Sequence, residues 1–152
     1  MSLLIDTFKM REPLIEFGES HPVMGTCAGL ILMAKRVPDE RVNPLGFLDI
    51  TVDRNAYGRQ IESKTEYVTY YLKQGTKAEL ATTLIRAPKI SSLGDSIHIL
   101  GELNGSPVAV ISKHFLGLSF HPELDKIDIF HQILFDSDSQ YYYKQLKQIN
   151  AA

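Results

Sequence analysis

Cysteine is nearly absent: Cys27 is the only one in 152 residues. An internal disulfide is excluded, which fits a reducing compartment. An excess of one charge is missing too. Sixteen Lys and Arg stand against 18 Asp and Glu, a net charge of −2. No basic face is implied, so nucleic acid is not an expected partner. No apolar run approaches the roughly 20 residues that span a bilayer, so no membrane contact is expected. The opening Met1-Ser2-Leu3-Leu4-Ile5-Asp6 lacks the charged region and cleavage site of a signal peptide. There is no internal repeat, low-complexity tract or Pro/Gly-rich linker. These absences predict one cytoplasmic domain over residues 1–152, long enough for one core. No close cluster of metal-ligating side chains occurs, so no metal site is expected. His121-x-Glu123 faintly echoes a zinc deaminase signature, but that also needs Pro-Cys-x-x-Cys, which a single cysteine cannot supply.

What is present centres on that cysteine. It sits in Gly25-Thr26-Cys27-Ala28-Gly29, after apolar Pro22-Val23-Met24 and before Leu30-Ile31-Leu32-Met33-Ala34. The pattern reads as a nucleophile elbow, a strand turning sharply into a helix with a reactive side chain at the bend. The glycines serve a tight turn in which a Cβ would strike neighbouring strands. The helix N-terminus favours a thiolate. A lone cysteine is more often a small buried hydrophobe. Phe120-His121-Pro122-Glu123 tips the balance. A cysteine nucleophile needs a base, and the base needs an orienting carboxylate. His121 and Glu123, two residues apart in an extended segment, point the same way. An exposed proline turn is the plainer reading of that tripeptide.

The other histidines carry less. His21 precedes a proline, His98 lies in an apolar strand, and His114 and His131 read as loop and helix-face residues. Arg54 and Arg86 each follow an apolar strand, where α/β ligand sites form. Either could clamp a carboxylate, although spacing alone favours solvated surface arginines.

The order of elements predicts an α/β sandwich. A helical apolar face runs over residues 3–17, with a break or a second short helix at Pro13. A buried strand follows at 22–25, then the elbow helix at 28–37. Strands follow at 47–52 and 79–86. Residues 96–103 and 107–112 form a hairpin around Asn104-Gly105. A strand at 116–120 delivers His121, and a helical stripe spans 125–135, with a tail at 141–149 that extends it.

Four runs, in order, resemble a known family: residues 25–32, Arg54-Asn55-Ala56-Tyr57-Gly58-Arg59-Gln60, Ile85-Arg86-Ala87-Pro88, and Phe120-His121-Pro122-Glu123-Leu124. Together they resemble the class I glutamine amidotransferases, and among them the glutaminase subunits of pyridoxal 5′-phosphate synthase. The elbow and His-Pro-Glu are shared across class I glutaminases. The run at 54–60 is particular to the vitamin B6 branch. The resemblance implies a three-layer, flavodoxin-like sandwich around a central mixed sheet. It implies hydrolysis of L-glutamine to glutamate and ammonia without a cofactor, the ammonia passing to a synthase subunit. It assigns Cys27 as nucleophile, His121 as proton shuttle and Glu123 as its orienting acid. It assigns Arg54, Ile85 and Arg86 to glutamine contact.

The family begins with a strand, a helix, a second strand and a Gly-Gly-Glu-Ser loop that contributes oxyanion donors. This sequence resembles the family from the helix after that loop, which leaves the Ala28 N–H as the one oxyanion donor that the resemblance places. The expectation is therefore a fold lacking its first strands, with an unpaired sheet edge and weak activity by itself. The competing expectation is a non-catalytic remnant that keeps the fold and a surface for the synthase.

Overall fold

The computed structural model describes residues 1–54, 63–73 and 76–144. Residues 55–60 of the B6-type run and the tail from 145 lie outside the described residues.

Two short helices open the chain, α1 (Ser2–Thr7) and α2 (Arg11–Ser20). The apolar face splits at Lys9, whose φ is +54°. Pro13 breaks nothing, because it sits in the first turn of α2, where a missing N–H costs no helical bond. Strand β1 (Val23–Thr26) leads through Cys27 into α3 (Ala28–Met33). The helix was expected to reach residue 37. It stops at Met33, and Ala34–Arg36 form strand β2. Pro38 forces the chain ahead of it towards extended backbone. The Leu45 and Gly46 N–H groups then donate to the Leu32 and Ala34 carbonyls, at 2.6 and 3.2 Å.

Strand β3 (Leu48–Asp53) buries Leu48, Ile50 and Val52 on one face. Strands β4 (Lys64–Lys73) and β5 (Thr76–Leu84) form a long antiparallel hairpin. Strands β6 (Lys89–Leu93), β7 (His98–Leu103), β8 (Ser106–Ser112) and β9 (Phe115–Leu118) follow. The β7–β8 turn has Asn104 and Gly105 at φ +48° and +75°, the left-handed pair that a two-residue hairpin needs. After β9 comes a 3₁₀ turn, Pro122–Asp125, and then α4 (Ile129–Phe135).

The main sheet has the order β1-β9-β8-β7-β4-β5, with β1 and β9 parallel and the other pairs antiparallel. This is the central mixed sheet of an α/β fold. A second sheet, β2-β3-β6, was not anticipated. One core lies on the α4 side of the main sheet, where Tyr70, Phe120 and Phe130 meet edge to face at centroid distances of 5.5 to 6.1 Å. The other joins α3 to β3 around Leu30, Leu48 and Ile50. Gly117 makes that junction possible, since a Cβ there would stand 2.5 Å from Leu30 Cδ1.

The two edges of the main sheet differ. At β1, the Val23 and Cys27 N–H groups both donate towards β9, to His114 and Leu118 carbonyls at 3.0 and 2.8 Å. Strand alternation then turns the Met24 and Thr26 backbone groups outward. Beside them runs an apolar groove of about 340 Å³ lined by Ile5, Phe17, Val23, Leu32, Met33 and Phe47, among others. Leu3, Leu4 and Phe8 on the neighbouring helix and its end are exposed as well. At the other edge, β5 is tied by side chains to the 3₁₀ turn.

Candidate active site

Cys27 sits at φ +48°, ψ −103°, a conformation in which an L-residue's Cβ crowds the backbone. The bend is held from both sides. The Cys27 N–H donates to Leu118, and α3 starts at the next residue. A Cβ on Gly25 would lie 2.4 Å from Met33 Sδ and 2.7 Å from the Gly29 carbonyl carbon. Glycine is therefore required at 25, by the returning helix and not by neighbouring strands. A Cβ on Gly29 would meet nothing within 4 Å, so packing does not demand the second elbow glycine.

The parallel register brings His121 to the same end of the sheet. Thr26 is opposite Leu118, so Cys27 lies one residue and His121 three residues beyond that matched pair. Phe120, fully buried against Tyr70 and Phe130, fixes the backbone just before His121. His121 itself is extended, and Pro122 then opens the 3₁₀ turn. Glu123 thus faces His121 through a turn and not along a straight strand. Its Oε1 lies 2.8 Å from His121 Nδ1. With the Nδ1 proton donated to Glu123, Nε2 is left as the basic nitrogen. The Glu123 carboxyl is held below its ordinary range, chiefly by its own backbone N–H and then by the His121 hydrogen bond, against some burial.

The Cys27 thiol departs from the expectation of a ready thiolate. Burial pushes it above its ordinary value, the Ala28 N–H beside the sulfur opposes this, and the Glu123 charge adds to the rise. The Ala28 N–H at the start of the six-residue α3 does not outweigh desolvation. The resting thiol holds its proton, so a base has to remove it.

The glutamine-contact candidates divide. Arg54 stands at the end of β3, and its Nη1 donates to Asp39 Oδ2 at 3.3 Å. Asp39 also takes Arg41 on both oxygens at 2.8 Å, and these arginines hold its carboxyl well below the usual range. No hydrogen bond among the described residues ties Arg54 to Cys27 or His121. Ile85 and Arg86 follow β5 directly, exposed, with Arg86 at φ +47°. They are tied to the His121 turn through two residues that sequence reasoning missed, Thr83 and Asp125. Asp125 Oδ2 accepts the Thr83 N–H at 2.6 Å, and its Oδ1 accepts the Thr83 hydroxyl at 2.7 Å. No local motif signals a contact between residues 42 positions apart.

The remaining histidines are held elsewhere. His114 Nε2 is 2.7 Å from the Gly18 carbonyl, and His21 stacks on Phe17. No group of three or more potential metal ligands occurs among the described residues. No helix among them is long and apolar enough to cross a membrane.

The chain is similar to proteins of known family. The sequence pattern of the SNO glutamine amidotransferase family matches residues 1–137. The pyridoxal 5′-phosphate synthase subunit PdxT of Shouchella clausii is 46% identical over 133 residues, covering 87% of this chain and 67% of the relative. The subunit of the same name from Halalkalibacterium halodurans is 42% identical, covering 87% and 66%. The chain thus spans about two thirds of the length of these curated relatives. A crystal structure of a glutamine amidotransferase superposes with a TM-score of 0.77 at 32% identity, covering 89% of this chain and 71% of that one. A Thermotoga maritima glutamine amidotransferase, at 16% identity and a TM-score of 0.53, shares the fold. With the family pattern matched over residues 1–137 and relatives this similar over most of its length, the chain belongs to the SNO glutamine amidotransferase family.

Proposed function

We propose that this chain acts as a glutaminase that supplies ammonia to a pyridoxal 5′-phosphate synthase subunit in the cytoplasm. The observation that carries the reading is the 2.8 Å contact between Glu123 and His121 Nδ1, at the end of the strand paired with that of Cys27. It leaves Nε2 free to take the proton that burial keeps on the thiol. Cys27 Sγ attacks the side-chain carboxamide carbon of glutamine as its proton passes to His121. The Ala28 N–H meets the negative oxygen of the tetrahedral intermediate. His121 then returns the proton to nitrogen, the C–N bond breaks, and ammonia leaves a Cys27 thioester. Water, deprotonated by His121, attacks the thioester and releases glutamate. Arg54, Ile85 and Arg86 hold the amino-acid end of the substrate.

One oxyanion donor is half of a working hole, and each donor is worth about 10²–10³ in rate. The second belongs to the loop-bearing strand–helix–strand segment of the family. The free edge of β1 and its apolar groove suit that segment. It would cover the outward Met24 and Thr26 backbone and the exposed side chains of α1.

The test measures glutamate release with the Shouchella clausii synthase subunit present. The chain alone is compared with the chain joined to the leading segment of its Shouchella clausii relative. The joined chain should be faster by about 10²-fold or more, and Cys27→Ala should abolish release. Equal rates would overturn the account of the oxyanion hole. No release from either would leave a non-catalytic remnant as the reading.

A further inference from the structure

In the main sheet β9 is second and β5 is sixth. Four strand spacings of about 4.8 Å would set them about 19 Å apart in a flat sheet. Yet Asp125, seven residues past the end of β9, holds Thr83 near the end of β5 at 2.6 and 2.7 Å. The sheet curls far enough for its far edge to reach the turn that carries Glu123. The closure is built with both carboxylate oxygens. One takes the N–H of an edge strand and the other takes its hydroxyl. The Thr83 hydroxyl also lies 3.3 Å from Thr65 Oγ1 on β4, and the adjoining Thr82 hydroxyl lies 2.7 Å from the buried Tyr70 Oη. The end of β5 is thus pinned on two sides, just before Ile85 and the strained Arg86.

We infer that Asp125 is a positioning residue, whose two hydrogen bonds to Thr83 latch the β5 edge onto the His121–Glu123 turn and hold Ile85 and Arg86 within reach of the substrate of Cys27. The inference rests on the glutaminase reading for its substrate and on the Asp125–Thr83 geometry for its mechanism. The latch acts through hydrogen bonds and not through charge. An asparagine at 125 can accept the Thr83 N–H through its carbonyl oxygen and donate its amide N–H to the Thr83 hydroxyl, which then donates to Thr65. An alanine can do neither.

The experiment compares wild type, Asp125→Ala, Asp125→Asn and Thr83→Val in the joined chain. Cys27 is alkylated either by a chloroketone analogue of glutamine or by iodoacetamide, which needs no substrate pocket. Asp125→Ala should slow the chloroketone about tenfold, equivalent to about 1.4 kcal/mol, and leave the iodoacetamide rate within about twofold. KM for glutamine should rise with kcat little changed. Asp125→Asn should restore the wild-type rate, and Thr83→Val should fall between. Amide exchange at Ile85 and Arg86 should quicken in Asp125→Ala and recover in Asp125→Asn. Wild-type chloroketone rates in Asp125→Ala, or an Asp125→Asn as impaired as the alanine, would overturn the inference. A wild type that takes iodoacetamide and not the chloroketone would instead overturn the glutaminase reading. Exchange at Ile85 and Arg86 would then still decide the latch, as it would in Thr83→Val if Asp125→Ala failed to fold.

Discussion

The two edges of the main sheet are finished in opposite ways. At β5 the outward Thr83 N–H is met by a carboxylate, and the neighbouring hydroxyls are bonded. At β1 the outward backbone of Met24 and Thr26 faces an apolar groove bordered by exposed helices. Cys27 follows the open edge, and Ile85 and Arg86 follow the closed one. An edge finished with side chains from the same chain needs nothing more. An edge finished with backbone groups and apolar surface calls for another strand. The strand that leads to Cys27 is thereby the one with the open edge.

The strongest way to break this comparison is at His121, the proposed base, which belongs to neither edge. His121→Ala should lower glutamate release by about 10²–10⁴-fold while Cys27 still reacts with iodoacetamide at high pH. A smaller loss would place the proton shuttle elsewhere. Next in size is a pair of identical truncations. Phe120 is fully buried and Phe17 is 51% exposed in the groove. Phe120→Ala should cost about 3–5 kcal/mol in urea unfolding, and Phe17→Ala within about 0.5 kcal/mol. Comparable losses would mean that the groove is already filled. Gly25→Ala should cost about 1–3 kcal/mol or more by overpacking, because the contacts at 2.4 and 2.7 Å include helix backbone. Unchanged unfolding would show that α3 can retreat from β1. The smallest effect is electrostatic. The midpoint of Cys27 alkylation against pH should lie above that of an ordinary thiol, since burial disfavours the thiolate. Glu123→Gln should move it downward, because a nearby negative charge is removed. An upward shift would mean that Glu123 acts on the sulfur mainly through His121.

Legibility in the sequence followed locality. The elbow, the Asn104-Gly105 hairpin and His-Pro-Glu are signalled by adjacent residues, and the structure places each within a few residues of the reading. Strand β4 was missed because it mixes Lys64, Glu66 and Thr69 with its buried Val68 and Tyr70, so no apolar run announces it. Strand β6 holds one buried residue, Ile90, and gives no period to read. The 28–37 helix was read too long, because its apolar run continues into a strand that only pairing with β3 defines. The direction of the Cys27 shift was missed because desolvation depends on what packs over the sulfur. The Thr83–Asp125 tie was missed because it depends on how far a sheet curls.

The pairing of β1 with β9 also sets an order of events in time. The β7–β8 hairpin, with its two-residue turn, can form on its own in about 1–10 μs. Among the described residues strand β1 pairs with β9 alone, and the two strands lie about 90 residues apart in the chain. During synthesis Cys27 emerges long before its neighbours at residues 115–118 exist. Until they arrive the sulfur lacks the burial that holds its proton in the finished fold. The thiol is therefore more open to oxidation in the growing chain than in the resting protein. Folding half-buries this sulfur and so makes its thiolate less favourable than in the growing chain.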